Sequence, residues 1–145
     1  TLYYGAKNIG AWKEVKGVKK QIQATPLMLG QDLTVVGSRR HGAEALEAML
    51  KTIESRFKSI NLVSMGSSLK ICALAEGTAD WYPRLALTSE WDTAAAHAVL
   101  SAAGGKIMDA DLAPLEYNQK ESILNPFFHA VGDRNFDWDS LIDKA

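Results

Sequence analysis

Strand-like apolar runs alternate with helical stripes along this chain, and that alternation constrains its fold more than any other feature. An apolar strand is expected near residues 33–37, closing on Val35-Val36-Gly37. Beyond it, Leu46, Leu50, Ile53 and Phe57 recur at spacings of 4, 3 and 4, the stripe of an amphipathic helix within His41 to Lys58. Asn61 to Met65 reads as a strand, Ser68 to Glu76 as a short apolar helix stopped by Gly77, and Asp80-Trp81-Tyr82 as a strand ended by Pro83. Trp91 to Ala103 is an alanine-rich helix stopped by Gly104-Gly105. Lys106 to Asp109 and His129 to Gly132 are strands, and Asp137 to Lys144 a closing helix. Such alternation predicts an α/β layered sandwich: a mainly parallel or mixed central sheet flanked by helices.

The first residues add a separate expectation. Leu2-Tyr3-Tyr4-Gly5-Ala6 is strand-like, and Asn8-Ile9-Gly10 turns into a second short strand, so residues 2–16 read as a hairpin. With no cap, leader or starting Met before it, this hairpin is expected to belong to the edge of a sheet whose other strands lie upstream.

Composition then removes whole classes. The 16 Lys+Arg balance 17 Asp+Glu, which argues against a nucleic-acid polymer as partner. Five lysines and one acid between Lys7 and Lys20, and eight acids and two bases between Asp109 and Asp143, read as solvated surface. One thiol, Cys72, forms no internal disulfide and no cysteine-rich zinc site, which suits a cytoplasmic setting. No apolar run approaches the roughly 20 residues of a membrane span.

Ligands of open α/β sheets collect where strands end and helices begin, so three junctions matter. Gly37-Ser38-Arg39-Arg40-His41 brings a hydroxyl, two guanidinium groups and an imidazole. Gly66-Ser67-Ser68-Leu69-Lys70 combines a close-approach glycine, two hydroxyls and a mobile ammonium, the parts of an anion cradle, though not in the order of a Walker A loop. Capping alone also explains these serines. Ser89-Glu90-Trp91-Asp92 resembles a capping box, yet a carboxylate there also suits one ligand of a hard cation.

Trp91-Asp92-Thr93-Ala94-Ala95 through Ala103-Gly104-Gly105 resembles the second signature of the inositol monophosphatase superfamily, Trp-Asp-x-Ala-Ala-Gly followed by Ala-Gly-Gly. Gly66 through Gly77, Ala79-Asp80, Tyr82-Pro83-Arg84, Ser38 to His41, Pro114 to Tyr117 and Glu121 to Pro126 are similar to its bacterial 3'(2'),5'-bisphosphate nucleotidase branch. The resemblance implies a Mg²⁺-dependent, lithium-inhibited phosphatase, with two or three ions, that converts 3'-phosphoadenosine 5'-phosphate to AMP and phosphate, clearing a by-product of sulfate assimilation. It implies a cytoplasmic enzyme, with a peripheral place at the inner face of the membrane as a further expectation. It assigns Asp92 to a metal and the ribose side. Ser67, Lys70, Arg84 and His41 would hold the remaining phosphate and the base side, and Ser38, Gly66 and Ser68 complete the cradle.

Two departures accompany it. Ala96 stands where the signature has its glycine, and the first signature, Asp-Pro-x-Asp-Gly-Thr, is absent. Asp109-Ala110-Asp111 and Asp137-Trp138-Asp139 are expected to serve turns and caps instead. The chain therefore reads as the C-terminal domain of a two-domain phosphatase, inactive without the N-terminal domain that carries most metal ligands. Inositol phosphates or fructose bisphosphate as substrates, and a catalytically silent nucleotide-binding module, are the competing readings. The four tryptophans are expected in the core or at the rim, not as a base-stacking platform.

Overall fold

Residues 1–38, 40 and 42–142 are described by the computed structural model. Its first layer is an antiparallel meander of β1 (Leu2–Ala6), β2 (Gly10–Val15) and β3 (Val18–Ile22). Lys16 and Gly17, at φ 48° and 79°, form the two-residue turn that joins β2 to β3, with Val15 opposite Val18. The hairpin expected over residues 2–16 thus gains a third strand. Its exposed Val18, Lys19, Lys20 and Gln21 lack an alternating apolar pattern because β3 is an edge, where lysines discourage further pairing.

The main sheet runs β5 (Ser59–Ser64), β4 (Asp32–Gly37), β6 (Trp81–Arg84), β10 (Phe128–Val131), β8 (Lys106–Asp109). β4 lies parallel to β5 and β6, whereas β10 is antiparallel to both its neighbours, so the sheet is mixed as expected. Helix α1 (Ala43–Ile53) and a 3₁₀ turn (Glu54–Arg56) connect β4 to β5, and α2 (Leu69–Ala75) connects β5 to β6. A two-stranded ribbon of β7 (Thr88–Ser89) and β9 (Leu124–Asn125) flanks the start of α3 (Glu90–Ala103). No described helix is long and apolar enough to cross a membrane.

Period-two alternation divides the strand side chains between two cores. Val36, Tyr82, Ile107 and Phe128 join α2, α3 and the meander in one cluster; Leu33, Val35, Trp81, Met108 and Val131 join α1 and Trp138 in the other. The layers are therefore meander, α2 and α3, main sheet, and α1. Ala96, in place of the signature glycine, is buried within the first cluster, so its methyl is accommodated.

Two elements differ from their sequence reading. Pro83 sits inside β6, opposite His129, and does not end it. Pairing of β6 with β4 is confined to Trp81 opposite Val35, so by Pro83 the strand has one partner and a missing N–H is tolerated. The helix expected over 137–144 is a single 3₁₀ turn, Trp138–Ser140, in its described part. The buried Trp138 indole donates to the Asp133 carbonyl at 2.7 Å, and the chain turns about that anchor. The paired aspartates behave as expected: Asp109 Oδ1 accepts from the Asp111 and Ala113 amides, and Asp137 caps Ser140. Trp81 and Trp138 are core residues, whereas Trp91 is 70% exposed and belongs to neither core nor cavity rim.

A buried imidazole gives this fold an acid limit. His129 is 3% exposed, and the Trp81 Nε1–H donates to its Nδ1 at 3.2 Å. Because an indole N–H only donates, that nitrogen must be unprotonated. Burial lowers the His129 pKa from 6.5 to about 4. A depressed folded-state pKa contributes stability that is complete above 6.5 and lost as pH falls toward 4, on the order of 3 kcal/mol. Asp80, whose carboxyl is raised by burial, acts in the opposite direction over the acid range. Urea midpoints at pH 7 and pH 4.5 check this: the loss of stability is expected to shrink in His129→Gln, and an equal loss in both proteins would refute it.

Candidate functional site

Adjacent parallel strands bring the first two junctions together. β4 and β5 finish in register, Gly37 opposite Ser64, so the segments leaving them emerge side by side. The ends of β6 and β7 bring Arg84 and the first turn of α3 to the same place. Between them lies an open cavity of about 590 Å³, lined among others by Ser38, Arg40, Gly66, Ser67, Ser68, Lys70, Tyr82, Arg84, Thr88, Asp92 and Thr93. Seven of the eight residues expected at the site from sequence meet here; the eighth, His41, lies outside the described residues.

Local geometry leaves the Gly66, Ser67 and Ser68 part of the cradle facing the cavity. A Cβ on Gly66 would meet nothing within 4 Å, so the backbone there faces open space. Ser67 holds a left-handed φ of 53°, a conformation that costs a non-glycine residue about 1–2 kcal/mol. Ser68 occupies the N-cap position of α2 without making a side-chain cap bond, so capping does not account for its hydroxyl. Ser38 Oγ accepts from the Arg40 amide at 3.2 Å.

Lys70 is the unusual member. It is 4% exposed, reaches the cavity, and has its Nζ 5.3 Å from the centre of the Tyr82 ring. No described carboxylate or carbonyl accepts its protons within hydrogen-bond distance. Burial, and then the nearby Arg84 charge, lowers its pKa. Arg84 spends two donors on the Ala86 and Leu87 carbonyls, both at 3.3 Å, and has five in all. Lys70 and Arg84, the first of them desolvated, beside a cavity with hydroxyls make a site for an anion with several oxygens.

Lys70→Met should separate ligand binding from folding. Met keeps the stem and removes an ammonium that no described carboxylate neutralises, so the melting temperature is expected to hold or rise by a few degrees. A fall of more than about 5 °C in a thermal melt would mean that the ammonium stabilises the fold through Tyr82.

Across the cavity, Asp92 Oδ2 accepts from the Ser89 amide at 2.8 Å, the carboxylate half of a capping box, while no described residue bonds Oδ1. Capping and ligand binding are therefore compatible. The donor set fits one carboxylate ligand of a divalent cation and no more: among the described residues no group of three His, Cys, Asp or Glu could hold a metal ion. A hexacoordinate Mg²⁺ is not retained by a lone acid.

Arg40, Tyr82, Thr88 and Thr93 also line the cavity, beyond the residues the sequence points to. Arg40 was visible beside Ser38. Tyr82 and Thr93 read as strand and helix positions, and their place depends on tertiary packing.

The inositol monophosphatase family profile matches residues 1–135. The chain is 45% identical over 127 residues to the 3'(2'),5'-bisphosphate nucleotidase CysQ of Escherichia coli (strain K12), covering 88% of this chain and 49% of that protein. It thus spans about half the length of the curated relatives it matches. Among solved structures, CysQ from Bacteroides thetaiotaomicron superposes with a TM-score of 0.71 at 36% identity, over 92% of this chain and 54% of that one. An inositol monophosphatase from Zymomonas mobilis, at 18% identity and a TM-score of 0.69 over 96% of this chain and 51% of that one, shares the fold.

Proposed function

Because this chain belongs to the inositol monophosphatase family, we propose that it forms the nucleotide-holding half of a 3'(2'),5'-bisphosphate nucleotidase, which converts 3'-phosphoadenosine 5'-phosphate to AMP and phosphate. The observation that carries the reading is the meeting of Lys70 and Arg84 with Asp92 across one cavity. The two cations suit phosphate oxygens and the carboxylate suits a hard cation. In this reading Ser67, Lys70, Arg84 and His41 hold the phosphate that is retained and the base side, and Ser38, Gly66 and Ser68 complete the cradle. Asp92 supplies one ligand to Mg²⁺ close to the ribose. When bound, Mg²⁺ would supply charge neutralisation for the phosphate and activation of a water.

The remaining carboxylates would come from polypeptide outside these residues, in a separate N-terminal domain. The free edge of β1 offers a place for its strands to pair. It follows that the chain alone binds the nucleotide without turning it over. A phosphate-release assay with Mg²⁺ tests both halves of the proposal. The isolated chain should give no release above the blank. The complete enzyme should prefer 3'-phosphoadenosine 5'-phosphate over inositol monophosphate and fructose bisphosphate. Turnover by the isolated chain, or a preference for either sugar phosphate, would overturn the corresponding half.

A further inference from the structure

Asn125 is 2% exposed and lies on β9, opposite Thr88. Its Nδ2 approaches Thr88 Oγ1 at 3.1 Å, the Ser89 carbonyl at 3.0 Å and Thr93 Oγ1 at 3.0 Å. A carbonyl only accepts, so the NH₂ end must face Ser89 and the amide cannot be turned over. Its Oδ1 is left as the one buried side-chain N or O atom without a partner among the described residues. What this residue retains is its pair of donors, and their acceptors lie on both sides of Asp92.

The segment around it repeats the pattern. Asn118 N–H donates to the Glu90 carboxylate at 3.1 and 3.2 Å, and the Glu90 amide donates to Ile123 O at 2.8 Å. Tyr117 OH lies 3.3 Å from Thr93 Oγ1 and 2.7 Å from His97 Nδ1. Residues 117–125 are thus a strap laid over the β7–α3 junction, bonded to residues 88, 89, 90, 93 and 97. Among the described residues the Asp92 carboxylate is bonded through the Ser89 amide, so its direction depends on that junction staying closed.

We propose that Asn125 is a positioning residue, which acts through Ser89 and Thr93 to fix the Asp92 carboxylate and the Thr93 hydroxyl at the cavity wall. This rests on the nucleotidase reading above, and adds a group that does not line the cavity. Ser67, Lys70 and Arg84 come from the β5–α2 junction, α2 and β6. Asn125 hydrogen-bonds none of them, so its loss should affect the reacting end of the substrate and spare the retained phosphate.

The test uses the complete enzyme with 3'-phosphoadenosine 5'-phosphate and Mg²⁺. Asn125→Asp keeps the shape and removes both donors; Thr93→Val removes the hydroxyl between Asn125 and Tyr117 and serves if the first variant folds poorly. Each is expected to lower kcat about 10- to 100-fold, the usual cost of losing a group that orients a metal ligand. KM should change less than about threefold, and Thr93→Ser should restore kcat. The double variant should lose little more than either single one, because the two act as one unit. A kcat within twofold of wild type in both variants, or a loss confined to KM, would overturn the proposal. If the wild-type enzyme leaves this substrate intact, the nucleotidase reading is what fails. The positioning role is then decided by amide exchange in the chain: faster exchange confined to residues 89–93 in Asn125→Asp supports it, and unchanged exchange there refutes it.

Discussion

Replacing Asp92 by Asn is expected to lower phosphate release by the complete enzyme by about 10²–10³ or more, while the melting temperature moves by only a degree or two. The two effects separate because the carboxylate has two tasks. Oδ2 accepts the Ser89 amide in the capping box, and an asparagine carbonyl of the same size can accept that bond. What is lost is the negative charge at the first turn of α3, a few tenths of a kcal/mol for the helix. For the reaction the same charge matters far more, since removing one preorganised electrostatic group from an active site costs about 3–4 kcal/mol of transition-state stabilisation. Side-by-side kcat and thermal-melt measurements on the purified variant decide the matter. Full activity with an unchanged melt would return Asp92 to a capping role and leave the cavity a binding module.

The second large effect concerns folding. Gly105→Ala is expected to destabilise the chain by about 3 kcal/mol and lower its melting temperature by roughly 10 °C. Gly104 ends α3 at φ 108°, with its N–H turned back toward the last helical turn, and Gly105 follows as the chain enters β8. A Cβ on Gly105 would collide with the Leu100 side chain and with the Val131 carbonyl oxygen. Leu100 is fully buried, and Val131 belongs to β10, paired on both sides, so neither can move aside cheaply. Gly66→Ala provides the contrast: with nothing within 4 Å of the new methyl, it should melt within a degree or two of wild type. A scanning-calorimetry trace in which both variants melt alike would contradict this account of the signature's glycines.

Much of this architecture was legible because its principal elements announce themselves by periodicity. The Leu46, Leu50, Ile53 and Phe57 stripe marked α1 and the turn after it, and the Lys106–Asp109 strand appears as expected. Elements without an apolar rhythm were not legible. β3 is a lysine-bearing edge, and β7 and β9 are two residues each, too short for any period. The site followed the same division. Ser38, Gly66, Ser67, Ser68, Lys70, Arg84 and Asp92 sit at strand ends or first helical turns, where chemistry can be read from the order of residues. Tyr82 contributes through its place under the Lys70 ammonium, a contact between β6 and α2 that no local pattern encodes. Asn125 is still less visible: in Leu124-Asn125-Pro126 it looks like a turn residue, and only the folded chain places its amide beneath α3.

We propose that the cavity between the β4, β5 and α3 junctions holds a phosphorylated nucleotide through Lys70. Calorimetric titration of the chain with 3'-phosphoadenosine 5'-phosphate, for wild type and Lys70→Met, tests it most directly. A charge-assisted phosphate contact of about 1.5–3 kcal/mol predicts saturable binding by the wild type and an affinity roughly 10- to 100-fold weaker in the variant. Equal affinity in the two proteins, or no binding by the wild type, would contradict the account.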